Sequence, residues 1–187
     1  MSKKKRLAES LEMVLVVEPN IDIVTDNMVA EWSSTPYPQL SVLLVYLRHL
    51  SFIHQNHHWV SKGEPFYGDH LLFQRLYAGV AEDIDTLAEK AIGLGSTANV
   101  ALPLHTMQLN KLLQNYGMTA TLPQGADLAR RSYAAEMNFL KVADHMAEHM
   151  KECCLMTRGL DNMLQGIEDR HEGNVYLLKQ RCLQDIF

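Results

Sequence analysis

The stretch HHWVSKGEPFYGDH, residues 57–70, decides how this chain reads. It places His57, His58 and Trp59 before a Lys62-Gly63-Glu64-Pro65 break and His70 after it. It then runs into LLFQRLYAGVAEDIDTLAEKAIGLG, residues 71–95, where Asp85 and Glu89 lie four apart. Gly63 and Pro65 end one helix. Leu72, Leu76, Val80, Ile84, Leu87 and Ala91 recur at helical spacing and predict another from Tyr67 to Gly93. Upstream, Leu40, Leu43, Leu44, Leu47, Leu50 and Ile53 are expected to form the buried stripe of a helix over Gln39 to Lys62. Downstream, residues 96–122 read as a long crossover with one short helix near 103–115. Helices over 124–157 and 160–184 follow, with Gly159 between them. A short amphipathic helix is expected over 7–17, and Pro19 and the SSTPYP segment at 33–38 mark loops. No strand-like alternation stands out. The expected fold is all-α: a four-helix bundle over 37–187 with a helical excursion between its second and third members, preceded by an extension over 1–36.

Composition narrows the function classes. A chain of 187 residues, 47% hydrophobic and 21% charged, is long enough for one domain with a buried core. Its longest apolar runs, such as SVLLVYL at 41–47, fall short of the roughly 20 residues that span a bilayer. Three glutamates interrupt the N-terminal apolar stretch and no small-residue cleavage site follows, so the expected location is the cytoplasm. Cys153, Cys154 and Cys182 match neither an even disulfide framework nor a CxxC zinc pattern and are expected to be reduced thiols. Net charge −5 argues against a nucleic-acid platform over the whole surface. Lys3, Lys4, Lys5 and Arg6 nevertheless form a basic tail, either solvated or in contact with a DNA backbone. No GxGxxG, P-loop or GxSxG motif is present, which leaves the histidines and acids to carry the chemistry.

Their spacing is informative. His54 and His58 share one side of the first helix, His70 and Gln74 one side of the second near its start, and Asp85 and Glu89 one side further along. At the α-helical rise, Asp85 stands about 22 Å and Glu89 about 28 Å beyond His70, too far to grip one ion within a chain. Two second helices packed antiparallel across a two-fold axis would bring the histidines of one chain to the carboxylates of the other. Imidazole with carboxylate suits iron, with manganese and zinc as alternatives.

The same residues carry a resemblance. His58, Trp59, Lys62, Gly63, Phe66, His70, Asp85, Ala88, Glu89 and Lys90 are similar to the signature of the Dps family, the DNA-binding proteins from starved cells, which are dodecameric mini-ferritins of the ferritin-like superfamily. The resemblance implies a ferroxidase centre in which His58 and His70 come from one subunit and Asp85 and Glu89 from its neighbour. Trp59 would lie beside the iron as packing or as an electron source. It also implies Fe(II) oxidation by hydrogen peroxide or oxygen, ferric storage in a hollow shell, protection against oxidative damage, and association with DNA. The chain departs from the family at Gln74, where an Asp is usual; a neutral amide is the weaker oxygen ligand.

Three further groups stay open. His54 is a candidate ligand only through its helical face. His145, Glu148, His149 and Glu152, with Met146 and Met150, fit either a pore or secondary metal site or a solvated face over core methionines. Glu168 and His171 form one ExxH of the kind that holds iron inside ferritin-like bundles, but the second helix offers Glu82-x-x-Asp85 in place of a second copy. The alternatives to a mini-ferritin are therefore a DNA-compacting shell with a weakened metal site, and an intrachain di-metal oxidase or a binder of zinc or manganese.

Overall fold

The structure, a computed structural model, describes residues 21–115 and 126–184. The expected helix at 7–17 and the basic tail lie outside the described residues. Six α-helices follow in order: α1 Ile21–Glu31, α2 Pro38–Val60, α3 Phe66–Leu94, α4 Leu102–Asn115, α5 Ala126–Glu152 and α6 Arg158–Gln184, with a 3-10 turn at Thr97–Val100. There is no strand among the described residues. α2 packs along α3, α5 along α6, and α2 also along α5, whereas α3 meets α6 over a short stretch only.

The first half of α2 is the centre of the core. Leu40, Val42, Leu43, Leu44, Val45 and Leu47 are all buried, so this half-helix is covered on every side rather than along one stripe. Each such side chain contributes about 1.5–3 kcal/mol by leaving water. The extra cover comes from α1 and α4. Trp32, just past α1, is 1% exposed and donates its indole N–H to Gln108 Oε1 of α4 at 2.8 Å, while Gln108 Nε2 donates to Met28 O at 3.1 Å and Glu31 Oε2 at 2.8 Å. α1 thus lies on the bundle, within the segment read from sequence as an extension.

α5 stops five residues short of its expected end. Cys154 adopts a left-handed backbone, φ 56°, its N–H donates to Lys151 O at 3.0 Å, and Leu155 N–H reaches back to Met150 O at 2.9 Å. That pair of bonds closes the helix in the manner usually given to glycine. Between α2 and α3, Gly63 takes φ 86°, a value side chains rarely adopt, and lets α3 fold back beside the end of α2.

The apolar core is not continuous. One cluster runs from Trp32 and Leu44 to Ile53, Phe139 and Ile167; a second joins Phe73, Leu76, Leu128, Leu178 and Cys182. Buried polar residues at the level between them include His54, Ser132, Glu136 and His171. On α3 the sequence pattern places Ile84 on the core face, but Asp83 is the buried residue, 2% exposed, and Ile84 is only partly covered. The ion pairs described next hold Asp83 inside.

Candidate metal centre

His58 in the last turn of α2 and His70 in the first turns of α3 face each other across the Gly63 turn. Their rings stack with centroids 3.7 Å apart. His58 Nδ1 donates to His70 O at 2.9 Å, and His70 Nδ1 donates to His58 O at 3.0 Å. A carbonyl only accepts, so both Nδ1 atoms carry the proton and both Nε2 lone pairs are left for another partner. Metal-bound histidines are oriented by this kind of second hydrogen bond. Phe66 lies 5.0 Å from the His70 ring and Tyr77 packs edge-on to His58 at 5.3 Å.

Asp85 and Glu89 do not join this pair within the chain. α3 is α-helical throughout from Phe66 to Leu94, so the separation expected from the sequence holds. Both acids are exposed, and they continue a row along α3 that includes Tyr67, Leu71, Gln74 and Ala78, all exposed as well. Among the described residues, no three His, Cys, Asp or Glu groups stand at metal-site spacing in the single chain. Trp59, next to His58, is 67% exposed, and with Phe52, Phe66, Tyr67 and Leu71 it leaves an apolar surface around the histidines.

His54 lies elsewhere. It is fully buried, with Nε2 on Glu136 Oε1 at 2.8 Å and Nδ1 on Ser132 Oγ at 3.0 Å; His57 Nδ1 meets the same hydroxyl at 2.8 Å. Glu136 Oε2 meets His171 Nδ1 at 2.5 Å, and Asn174 donates to Glu136 Oε1 at 3.1 Å. His171 Nε2 faces Asp83 Oδ2 at 3.4 Å, outside good hydrogen-bond geometry, while Arg170 closes on Asp83 Oδ1. Burial alone would raise the Glu136 carboxyl, but the hydrogen bonds from His171 and His54 outweigh it and hold the group at about 2. Burial alone would lower His171, yet the carboxylate of Asp83 beside it and the hydrogen bond and charge of Glu136 raise it to about 9. His57, desolvated and near His54 and Arg131, is pushed down to about 3.

The other candidate groups are also placed. Asp69, beside His70, is buried and gripped by Arg181, Nε to Oδ1 at 2.5 Å and NH2 to Oδ2 at 3.2 Å. The ExxH of α6 is divided: His171 points inward, while Glu168 is raised first by partial burial and then by Asp144 and Glu172. His145, Glu148, His149 and Glu152 line a surface cavity of about 460 Å³ with Asp26, whose carboxylate meets His145 Nε2 at 2.9 Å; Met146 and Met150 are core residues. Sequence reasoning missed Asp83, Ser132, Glu136 and Asn174. Their signal is a polar residue where a helical apolar stripe should continue, as between Ile167 and Leu178 on α6.

An all-α bundle with a helix-bearing crossover and inward polar residues from its long helices defines the ferritin-like class. More particularly, the fold is Dps-like. The chain is similar to the Dps protein of Microbacterium arborescens in its high iron form, with TM-score 0.62, 15% identity, and coverage of 88% of this chain and 96% of that one. It is similar to Dps of Vibrio cholerae O1, a member of a broad superfamily of ferritin-like diiron-carboxylate proteins, with TM-score 0.61, 17% identity, and coverage of 85% and 91%. For Dps of Thermosynechococcus elongatus the values are 0.58, 14%, 87% and 94%. No family model and no curated protein matches the chain. None of the helices among the described residues is long and apolar enough to cross a membrane.

Proposed function

We propose that this protein is an iron-oxidising, iron-storing mini-ferritin whose oxidation centres each form between two copies of the chain. The observation that carries this reading is the reciprocal lock of His58 and His70. It leaves two Nε2 donors beside an exposed apolar surface, with no third His, Cys, Asp or Glu at metal-site spacing among the described residues. Asp85 and Glu89 lie on the matching row of α3, and the point midway between them and His70 falls at Ala78 and Gly79, small residues that allow two α3 helices to approach closely. A Cβ built at Gly79 meets nothing within 4 Å in the single chain. Antiparallel pairing about that point repeats the site at both ends.

Fe(II) is the substrate in this reading. His58 and His70 hold it through Nε2, and Asp85 and Glu89 from the partner subunit supply negative charge, which favours the ferric product over the ferrous ion. With hydrogen peroxide as oxidant, each Fe(II) gives up one electron and one peroxide takes two, with two protons, to leave water; oxygen is the alternative acceptor. Removing Fe(II) and peroxide together limits oxidative damage, and a closed dodecameric shell stores the ferric product. Gln74 contributes an uncharged oxygen, so one iron is held firmly and a second loosely. Trp59, exposed beside His58, packs against a bound partner or gives an electron in this reading.

Complementation tests the shared centre. His58→Ala/His70→Ala chains and Asp85→Ala/Glu89→Ala chains should each be inactive alone. In a mixed two-fold pair one site combines both defects and the other is intact, so co-refolded mixtures should regain activity at up to about half of the sites in mixed pairs. Mixed shells, verified by mass, that stay inactive at every ratio would reject the reading.

A further inference from the structure

Each of the two surface histidines is preceded in the chain by a buried polar residue, His57 before His58 and Asp69 before His70, both 2% exposed. A helix turns by about 100° per residue, so of two neighbours in sequence one faces the surface and the other the bundle. Both inward residues find a partner on the opposite helix pair. His57 Nδ1 lies 2.8 Å from Ser132 Oγ of α5. Asp69, in the first turn of α3, is held by Arg181 in the last turn of α6, Nε to Oδ1 at 2.5 Å and NH2 to Oδ2 at 3.2 Å. This is a two-point contact between a planar guanidinium and a planar carboxylate, and it fixes angle as well as distance.

A buried ion pair is a costly way to join two helices, since apolar residues of similar volume often serve stability as well or better. Its advantage is direction. Little else sets the rotation of α3 at its start: Pro65 at the N-cap supplies no side-chain hydrogen bond, and α3 meets α6 over a short stretch only. Phe73, Leu76 and Leu178 pack there, but the hydrophobic effect that joins them is non-directional. An imidazole at the helix surface stands roughly 5–6 Å from the axis, so turning α3 by about 10° carries it about 1 Å. The 3.0 Å bond from His70 Nδ1 to His58 O does not survive such a shift.

We propose that Arg181, acting through Asp69, is a positioning residue for the surface centre: it fixes the rotation of α3 at which His70 and His58 lock together and leave both Nε2 atoms for the iron. The inference rests on the reading of these two histidines as iron ligands. It ties the α2–α3 turn to the end of α6, 112 residues from Asp69 along the chain, so a change in the last turn of α6 reaches the iron ligands.

The test compares the full-length protein with Asp69→Leu/Arg181→Met, in which apolar side chains replace the pair, so that the bundle stays folded without the directional contact. Solid-state NMR of 15N-labelled histidine, on protein free of metal, reads the tautomers. In the parent protein His58 and His70 should both be protonated at Nδ1. His105, whose Nε2 donates to Asn99 O at 3.0 Å, should be protonated at Nε2 and serves as the control. The double variant should lose the single tautomer at His58 and His70 and keep it at His105. Its Fe(II) oxidation should be roughly tenfold to a hundredfold slower, the loss that a misplacement of about 1 Å produces. Arg181→Lys, which keeps the charge without the planar fork, should fall between the two. Unchanged tautomers at His58 and His70, loss of all three tautomers together, or altered tautomers with an unchanged oxidation rate would each overturn the proposal. A parent protein that shows the lock but oxidises no Fe(II) would refute the iron reading beneath it.

Discussion

Glu136→Gln probes the buried polar layer. Glu136 accepts from His54 and His171 at 2.8 and 2.5 Å, and both imidazoles are fully buried. The amide keeps the shape but offers one acceptor and one NH2, so one imidazole meets a donor, and a protonated His171 loses its nearer counter-charge. Breaking one partner of a buried ion pair costs about 3–5 kcal/mol. The pH dependence fixes the origin of that loss. His171 is raised from 6.5 to about 9, so its contribution is complete below 6.5 and is lost as pH rises through 9. Glu136 is lowered from 4.5 to about 2, so its contribution is present above 4.5 and is lost as pH falls through 2. Wild type should therefore be most stable between these limits, and the gap to Glu136→Gln should be about 3–5 kcal/mol at pH 6 and clearly smaller above pH 9. Denaturant unfolding in the presence of a chelator, followed by circular dichroism at both pH values, measures it. A gap below about 1 kcal/mol at pH 6, or an equal gap at both pH values, would show that no such ion pair exists.

Cys154→Gly should stabilise the end of α5 by about 1 kcal/mol, because a left-handed backbone is disfavoured by roughly that much for a residue with a Cβ; thermal unfolding reads it. Gly63→Ala should cost about 1–2 kcal/mol in the same assay, since the ideal Cβ there meets only Pro65 Cδ at 3.9 Å and the penalty is backbone strain at φ 86° alone. Leu44→Ala, at a fully buried position on α2, should lose about 2–5 kcal/mol, checked by the denaturation midpoint. Gln74→Asp should speed Fe(II) oxidation in a stopped-flow assay; unchanged rate and iron stoichiometry would show that position 74 does not face the iron.

The long helices were legible because their apolar residues recur locally, and α2, α3, α4 and α6 begin and end within two residues of expectation. α5 ends early because Cys154 takes a conformation that its residue type does not advertise. α1 escaped notice because its anchors, Met28 and Trp32, find Gln108 across 80 and 76 residues. The same limit hid the polar layer. Glu136 finds His54 at a separation of 82 residues and His171 at 35, and neither pairing leaves a spacing that can be read along one helix. His58 and His70 were legible for the opposite reason: they are 12 residues apart, across a glycine turn short enough to fix their approach.

Two groups close to the surface pair in the sequence are engaged elsewhere. Asp69 is next to His70 in sequence, but a bidentate Arg181 holds both its oxygens inside the bundle. His54 is one helical turn from His58, but its two nitrogens are engaged by Ser132 and Glu136. On the proposed reading, Gln74, exposed one turn after His70, supplies a neutral oxygen where neither Asp69 nor His54 is free to add a charge. On the same reading, the carboxylates at a complete surface site come from a second copy of the chain. Assembly and iron affinity are coupled on this argument: a variant unable to pair along α3 should lose firm Fe(II) binding while keeping its helical content, and one that binds iron equally well as a monomer would contradict the coupling.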